Sequence, residues 1–494
     1  MLLSLTSQAS QCIHGITMVL LNQIINFLLL LRSVSCGDLL EGKKSELRWP
    51  APNFRTSFGL SNPWDDHDTF ALLQSKTQQL PPIITNPDEN QTTILPGDIP
   101  DYVLNFAPLV HLYSEERYLP YDINKFVSHL YLQFGNGTNL TTHADLPLNL
   151  SRLADFAQYS TEEQVFMTSL EDYSVDPEWI TGKHNKPRYE NGEITDAPAV
   201  LIVVDKGNGW VDSYWFYFYS FNLGPFVMGC GPYGNHVGDW EHSLVRFYDG
   251  TPTHVWMSAH GGGNGYKFDA VEKFGEFDQG EWHNHPNSRR NNGTKNQRPV
   301  IFSARGTHAN YASVGQHAHD LPYSILSDFT DRGPLWDPAM NYLAYTWDGV
   351  NLVPSLNKTS RITNNTDFIY KYNNREREYG PWLFFMGQWG DKKMDPKDPR
   401  QVWSPWEYKY IDGPRGPLAK NLLRENICQR SKWWNFWDGC TVRNHLNMGS
   451  GIESEGANTC ITISNKISNP IIRLIFSWIS YGGWICFIVD NFWA

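Results

Sequence analysis

The chain is short of charge, and of positive charge most of all. Across 494 residues, 40 Lys and Arg stand against 52 Asp and Glu, a net charge of −12. Proteins that grip nucleic acid carry a basic footprint, so nucleic acid is excluded as a partner. There is no Gly-rich phosphate loop closed by Lys, which removes the P-loop nucleotide-binding class. There is no serine-nucleophile elbow, and no Ser, His and Asp set can be assembled from the linear order. An internal repeat is also missing, which removes solenoids and propellers.

Aromatic residues are abundant: 20 Trp, 24 Tyr and 26 Phe. Aromatic and β-branched runs favour pleated sheets. Ala199–Val204 is a continuous apolar run that reads as a buried strand. Trp210–Phe221 is almost all aromatic and reads as a long strand with both faces covered. His129–Phe134, Gly238–Tyr248, His254–Ala259 and Pro299–Ala304 read as further strands, with Asp249-Gly250 as a turn. The same reading expects strands at Val103–Tyr113 and Pro381–Gly387, short helices at Thr161–Leu170 and Leu418–Arg424, and loop over 264–297. Strands this closely spaced, without parallel-sheet helices between them, predict a mainly β fold. The expected form is an antiparallel β-sandwich or jelly-roll-like domain with long loops and a few short helices.

Composition divides the chain into segments. Residues 1–35 read as a signal peptide or signal anchor. Val19–Leu31 is mostly apolar, and Ser33-Val-Ser35 supplies small residues for cleavage before Cys36. A start at Met18 would give a more compact leader. Residues 36–100 are rich in Pro, Asn, Asp and Gln and read as an irregular stalk or arm. Residues 101–425 form the β domain, 426–466 a tail bearing Cys and Trp, and 467–494 an apolar end. Ile471–Val489 has nearly the length of a bilayer span; a lipid-anchor signal and a read-through exon are the alternatives. Membrane association through these terminal segments is therefore an expectation. Seven sequons, at Asn90, Asn136, Asn139, Asn149, Asn292, Asn357 and Asn364, fit a lumenal or extracellular glycoprotein. Cys428 and Cys440 flank a Trp-rich loop and are candidates for a disulfide, leaving Cys230 and Cys460 for a second; buried free thiols are the alternative.

The densest chemistry lies in Gly234-Asn-His-Val-Gly-Asp-Trp-Glu-His242. Asp239 and Glu241 are two apart, so on a strand both carboxylates face one side. His236 precedes them beyond Gly238, where the chain can turn it back towards them. One nitrogen and two carboxylates suit a divalent cation, Ca, Mg or Zn; a strand start with a charged edge is the plain alternative. Asn222, His242, His308 and Asp331 are further candidates around this site. His317 and His319 could share a zinc ion or belong to a polar loop. Asp328, Asp331 and Asp337 could serve calcium or cap turns. Asp212, inside an aromatic strand, needs a partner and is expected at a hydrogen-bonded strand edge.

Several segments together resemble the family of vacuolar protein sorting-associated protein 62 of fungi. They are Tyr102–Asp122, Gly234–Phe247, Ser303–Tyr311 (Ser-Ala-Arg-Gly-Thr-His-Ala-Asn-Tyr), Thr330–Pro338 and Gly413–Leu418, and they span about residues 100–425. The resemblance implies a role in targeting proteins to the vacuole and a place in the secretory pathway, the vacuole lumen or its membranes, with the extracellular space as the alternative. It supplies no biochemical activity. The central motif alone is also similar to the Gly-His-x-His-Asp-Trp-Glu heptad of secreted necrosis-inducing cytolysins, which are cation-holding β-sandwiches. That likeness implies metal ligation by His236, Asp239 and Glu241. The heptad's second His is Gly238 here, and Asn222 stands near where those proteins carry a further Asp. Three functions follow as expectations. The first is a non-enzymatic cation-binding module that meets a glycan, a lipid headgroup or sorting cargo. The second is a metal-dependent hydrolase with His242 or His308 as general base. The third is a membrane-damaging, cytolysin-like protein.

Overall fold

The computed structural model describes residues 80–88, 90–225, 231–274, 298–318, 327–355, 381–403, 407–429, 442–444 and 446. Both terminal apolar segments, Cys230, Cys440, Cys460, His319, Asn292, Asn357 and Asn364 lie outside them. The chain divides at Pro82, and all the elements below belong to the unit that begins at Ile83.

In chain order the strands are β1 (Leu109–His111), β2 (Leu130–Phe134), β3 (Val165–Ser169), β4 (Ala199–Asp205), β5 (Trp210–Asn222), β6 (His236–Tyr248), β7 (Thr251–Ala259), β8 (Gly262–Lys267), β9 (Val300–Ser303), β10 (Asn310–Tyr311), β11 (Gly315–Ala318), β12 (Ser327–Thr330), β13 (Leu335–Trp336), β14 (Tyr342–Trp347), β15 (Leu352–Pro354) and β16 (Val442–Arg443). The helices are α1 (Asp101–Asn105), α2 (Ile123–Ser128), α3 (Leu150–Asp155) and α4 (Tyr159–Glu162). The protein is mainly β. Its largest sheet has eight strands in the order β15-β14-β4-β5-β6-β7-β8-β16, and a four-stranded sheet runs β10-β9-β1-β13. Most pairings are antiparallel, as expected, but β4–β14, β8–β16 and β1–β9 are parallel. Each parallel pair joins strands far apart in sequence, which leaves chain enough for the crossover that parallel pairing needs.

Three layers result. The four-stranded sheet shares a core with one face of the large sheet, through Val110, Ile301 and Trp336 against Trp215, Tyr217 and Tyr219. We call this the sheet-facing side. On the opposite, helix-facing side, Tyr214, Phe216, Phe218 and Trp240 pack with α2, α3, the β2–β3 pair, Trp382 and Trp389. Every residue of β5 is buried, which is why that strand is aromatic on both faces. Residues 83–100 are sewn to the edges of this body: the Ile84 amide donates to the Lys206 carbonyl (2.8 Å), and the Gly97 amide to the Thr346 hydroxyl (2.6 Å).

Several local expectations are corrected. Asp101–Asn105 is helical and only Leu109–His111 pairs as a strand, because Pro108 interrupts the apolar run. Val165–Ser169 is a strand beside β2 rather than part of a helix; its β-branched and aromatic residues pair antiparallel with Leu130–Phe134. Gly262–Lys267 is a strand, since its glycines let β8 lie against Trp256: a Cβ on Gly263 would come 2.6 Å from that indole. Pro381–Phe384 and Pro417–Lys420 are single 3₁₀ turns, each opened by its proline, in place of a strand and a longer helix. Asp212 sits in the middle of the large sheet and not at an edge; the Arg246 guanidinium holds it in a two-pronged pair (2.7 and 2.9 Å).

One glycine decides how the central motif is laid out. Trp240 and Leu244 face the helices, but so do Val237 and Phe221, which parity would place on the other side. The alternation slips by one at Gly238, whose φ is +69°, and this turns His236 towards the side of Asp239 and Glu241. A Cβ at Gly238 would meet the Trp389 carbonyl oxygen at 1.9 Å. Gly238→Ala is therefore expected to cost about 2–4 kcal/mol in urea unfolding, from left-handed backbone strain and the backbone clash. Gly262→Ala, where a Cβ meets nothing within 4 Å, is expected to change stability by less than about 0.5 kcal/mol.

Candidate functional site

The end of β6 brings three of the predicted residues to the sheet-facing side. Asp239 and Glu241 stand opposite Tyr219 and Tyr217 in the β5–β6 register, and His236 opposite Asn222. His308 arrives from the turn between β9 and β10, at a left-handed φ of +54°. That turn is closed by its own backbone, the His308 amide donating to the Ala304 carbonyl (3.0 Å). The His308 ring lies flat on Tyr219, 3.8 Å between centroids.

His308 is the centre of a buried ion cluster. Its Nε2 is 2.9 Å from the Tyr118 carbonyl oxygen, and its Nδ1 is 2.9 Å from Asp239 Oδ2. A carbonyl can only accept, so Nε2 carries a proton; an ionised carboxylate also accepts, so Nδ1 carries one too. The ring is an imidazolium. Glu116 completes it, with Oε1 3.7 Å from Nε2. Burial opposes the charge on His308, but hydrogen bonds to Asp239 and Glu116 and their charges overcome it and raise its pKa to about 9. Burial likewise works to raise Glu116, yet His308 and the Gly306 and Tyr118 amides win and hold it below the usual carboxylate range. Glu116 was not singled out in the sequence, where Ser114-Glu-Glu-Arg117 reads as the end of a strand. Its place in the Tyr102–Asp122 segment was the available signal.

Glu241 behaves differently. Its Oε2 accepts a short hydrogen bond from the Ser258 hydroxyl, which in turn accepts from the His242 amide (2.8 Å). Burial and the nearby Asp239 charge push its pKa up to about 8. His236 donates from Nδ1 to the Gly238 carbonyl (2.7 Å), which leaves the lone pair on Nε2. Burial lowers its pKa, so the ring stays neutral near pH 7.

The remaining candidates are placed as follows. The Asn222 side chain donates to the Gly234 carbonyl (2.9 Å) and shapes the loop before β6. His242 points to the helix-facing side, stacked on Phe216 at 5.0 Å. Asp331 caps the Ser114 amide (2.8 Å) and is not part of the cluster. Asp337 is paired with Arg298 (2.6 Å) and caps the Ala339 amide (3.0 Å), as a turn residue does. Asp328 accepts from His260 (2.7 Å), Thr307 and Tyr311 (both 2.8 Å). His317 is buried against Tyr311 and bonded to Thr330 (2.8 Å). Of the described sequons, Asn90, Asn136 and Asn139 are exposed, and Asn149 is half-buried and caps α3. Cys428 is disulfide-bonded.

A cation's requirements are met in part. His236 offers a bare Nε2, and no hydrogen bond from the described residues reaches Asp239 Oδ1 or Glu241 Oε1. Against that, no three His, Cys, Asp or Glu side chains among the described residues gather closely enough to hold a metal ion. Asp239 is drawn to His308 and Glu241 to Ser258.

The titrations fix a pH dependence. Glu241 and His308 both have folded pKa values above their ordinary ones, so their stabilising shares are lost as pH rises through about 8 and about 9. His111 and His254, lowered by burial to about 4, penalise the fold below their ordinary 6.5. Lys206, lowered by burial to about 8, relieves a penalty only above that pH. Stability is therefore expected to peak near pH 6.5 and to fall towards 8. Urea midpoints measured in EDTA check this: Glu241→Gln and His308→Gln should each flatten the fall, and a wild-type profile that rises from 6.5 to 8 would contradict the assignment.

No family model matches the chain. Vacuolar protein sorting-associated protein 62 of Saccharomyces cerevisiae is 45% identical over 468 residues, which cover 87% of this chain and 92% of the yeast protein. A second protein of that yeast, TDA6, provisionally named as vacuolar protein sorting-associated, is 46% identical over 433 residues, 84% of this chain and 88% of its own. Among solved structures, Necrosis and Ethylene inducing Protein 2 from the causal agent of cocoa's witches' broom disease is 13% identical with a TM-score of 0.20, over 46% of this chain and 74% of that one. One described as a toxin fold for microbial attack and plant defense is 10% identical with a TM-score of 0.22, over 57% and 86%. At these scores the structural likeness carries no argument about the site. Identity of this extent across nearly the whole of both yeast proteins shows the family: the chain belongs to the family of vacuolar protein sorting-associated protein 62.

Proposed function

We propose that this chain is a non-enzymatic binding module of the secretory pathway that serves protein targeting to the vacuole, and that its working surface is the β6 end bearing His236, Asp239 and Glu241. The observation that carries the binding reading over the hydrolase is the state of His308. Both of its ring nitrogens already donate, to Asp239 and to the Tyr118 carbonyl, so it has no lone pair with which to take a proton from water. The other base considered, His242, lies on the opposite side of the sheet. The disulfide at Cys428 and the exposed sequons at Asn90, Asn136 and Asn139 support a lumenal setting.

A divalent cation would be held by His236 Nε2, Asp239 Oδ1 and Glu241 Oε1. Burial first and the Asp239 charge second raise the Glu241 pKa, and a cation would offset both by stabilising the ionised carboxylate. The chemistry it would supply is a fixed positive centre for hydroxyl or phosphate oxygens, which suits a glycan, a lipid headgroup or a glycosylated cargo.

Elemental analysis of the purified full chain is the test of the cation. About one equivalent of Ca, Mg or Zn is expected in the wild type, falling at least tenfold in His236→Gln/Glu241→Gln; Asp239 is left intact to keep His308 paired. Equal metal in both proteins, or none in either after dialysis against each ion, would remove the cation from the proposal. The targeting role is read separately, in cells whose own copy is deleted. The wild-type gene is expected to return a vacuolar hydrolase from the medium to the vacuole and the double variant to fail. Normal delivery without the gene would overturn the role itself.

A further inference from the structure

The cation proposed above is short of ligands. His236, Asp239 and Glu241 offer it one atom each, and a divalent ion takes about four to eight. Strand β10 brings a further polar side chain to the same end of β6. Asn310 is 0% exposed, and neither its Oδ1 nor its Nδ2 has a hydrogen-bond partner among the described residues. A buried amide with both ends unmet is costly, and native folds seldom keep one without a use for it.

Strand register fixes the direction of this side chain. Asn310 stands directly opposite Ser303 in the antiparallel β9–β10 pair, and opposed residues of such a pair share a face. The Ser303 hydroxyl lies 3.4 Å from that of Tyr219, so the shared face is the one turned towards the large sheet. Tyr311, the next residue, points the other way and reaches Asp328 (2.8 Å). Strand β10 lies against β6 and β7. Tyr219 is the cross-strand partner of Asp239, and Ser258 of β7 holds Glu241. Asn310 therefore faces the strands that carry and position both carboxylates.

What the surrounding groups lack selects the occupant. Both nitrogens of His308 donate to Asp239 and the Tyr118 carbonyl, His236 Nδ1 donates to the Gly238 carbonyl, and the Ser258 hydroxyl donates to Glu241. His236 Nε2, Asp239 Oδ1 and Glu241 Oε1 receive no hydrogen bond from the described residues, and Asn310 Oδ1 is a fourth acceptor in the same state. A water molecule brings two hydrogens and serves two of the four, whereas a cation serves them all. Such an ion also keeps water in its shell, and that water accepts from Asn310 Nδ2. We infer that Asn310 Oδ1 is a fourth protein ligand of the cation, an inference that rests on the cation reading of the proposed function. It narrows the ion to the hard class of calcium and magnesium. Amide carbonyls serve those ions, while zinc sites use Cys, His and carboxylate.

Calcium chloride and magnesium chloride are the probes. Each is titrated calorimetrically into the purified full chain after treatment with EDTA and dialysis. Asn310→Leu roughly keeps the volume and removes the oxygen; Asn310→Asp keeps an oxygen in place. For the ion that the wild type binds, Asn310→Leu is expected to bind at least tenfold more weakly and Asn310→Asp at least as tightly as wild type. Melts in EDTA report the metal-free fold. There Asn310→Leu is expected to melt no lower than wild type, because it removes an unpartnered buried amide. Unchanged affinity in Asn310→Leu would overturn the ligand role and leave the cation standing, with Asn310 holding a buried water or supporting the β9–β10 turn. Weaker binding by Asn310→Asp would overturn it as well, and that arm decides the matter where the Leu variant does not fold. A wild type that binds neither ion would remove the cation and this ligand together.

Discussion

Strands β5 and β6, thirteen residues each, lie side by side in the middle of the large sheet with both faces covered. Water is kept from both faces except at the ends of β6, where His236 and Tyr248 are half-buried, so every other polar side chain on them must be partnered by protein or by something bound. The aromatic sequence of β5 answers the first half of that demand, by filling both cores. The polar residues of β5 and β6 answer the second, and they fall into two sets because successive side chains alternate across the sheet. Asp239 and Glu241 go to one side, and Asp212, His242 and Arg246 to the other.

The two sets are solved in different ways. On the sheet-facing side, a protonated ring between two carboxylates leaves one net negative charge, with Glu241 nearby kept largely neutral by burial. On the helix-facing side, three cations, Lys206, Arg246 and Arg424, share the Asp212 carboxylate and lean on backbone carbonyls. Buried ion pairs are seldom the most stable filling for a core, since desolvation cancels most of their attraction, while removing one partner costs about 3–5 kcal/mol. An apolar strand pair could close this sheet with less risk. The sequence instead places net negative charge at one end of β6 and net positive charge under its middle. The first imbalance is of the kind that the proposed cation would settle.

Much of this was legible in the order of residues. The unbroken aromatic run of Trp210–Phe221 announced a strand covered twice, and the two-residue spacing of Asp239 and Glu241 announced a shared face. The return of His236 to that face was also readable from Gly238, although it comes about by a slip in strand alternation within β6 and not by a turn. What was hidden depended on contacts distant in sequence. Glu116 and His308 are 192 positions apart, as their numbers give, and only the approach of the β9–β10 turn to the segment after β1 joins them. Arg424 lies near a proline-opened turn that reads as a helix, and nothing in its neighbourhood signals that its guanidinium enters the core. The misread elements share one cause. At Thr161–Leu170, Asn264–Lys267 and Pro381–Gly387 the local pattern is short and mixed, and tertiary pairing or a single proline decides the outcome.

The state of His308 is the point where fold and function meet. A histidine beside an acidic cluster invites the reading of a general base held by a carboxylate, the arrangement of many hydrolases. In those sites one imidazole nitrogen donates to the carboxylate and the other is left with a lone pair for the nucleophile's proton. Here the second nitrogen meets a backbone carbonyl, which can only accept, and the ring is sealed under Tyr219. The same pair of residues that would make a base has been turned into a fixed charge. A fixed charge holds Asp239 in one orientation and ties the β9–β10 turn to β6, and it does so without exchanging a proton. That suits the supports of the binding surface proposed above, whereas an acid–base catalyst needs a histidine with a free lone pair.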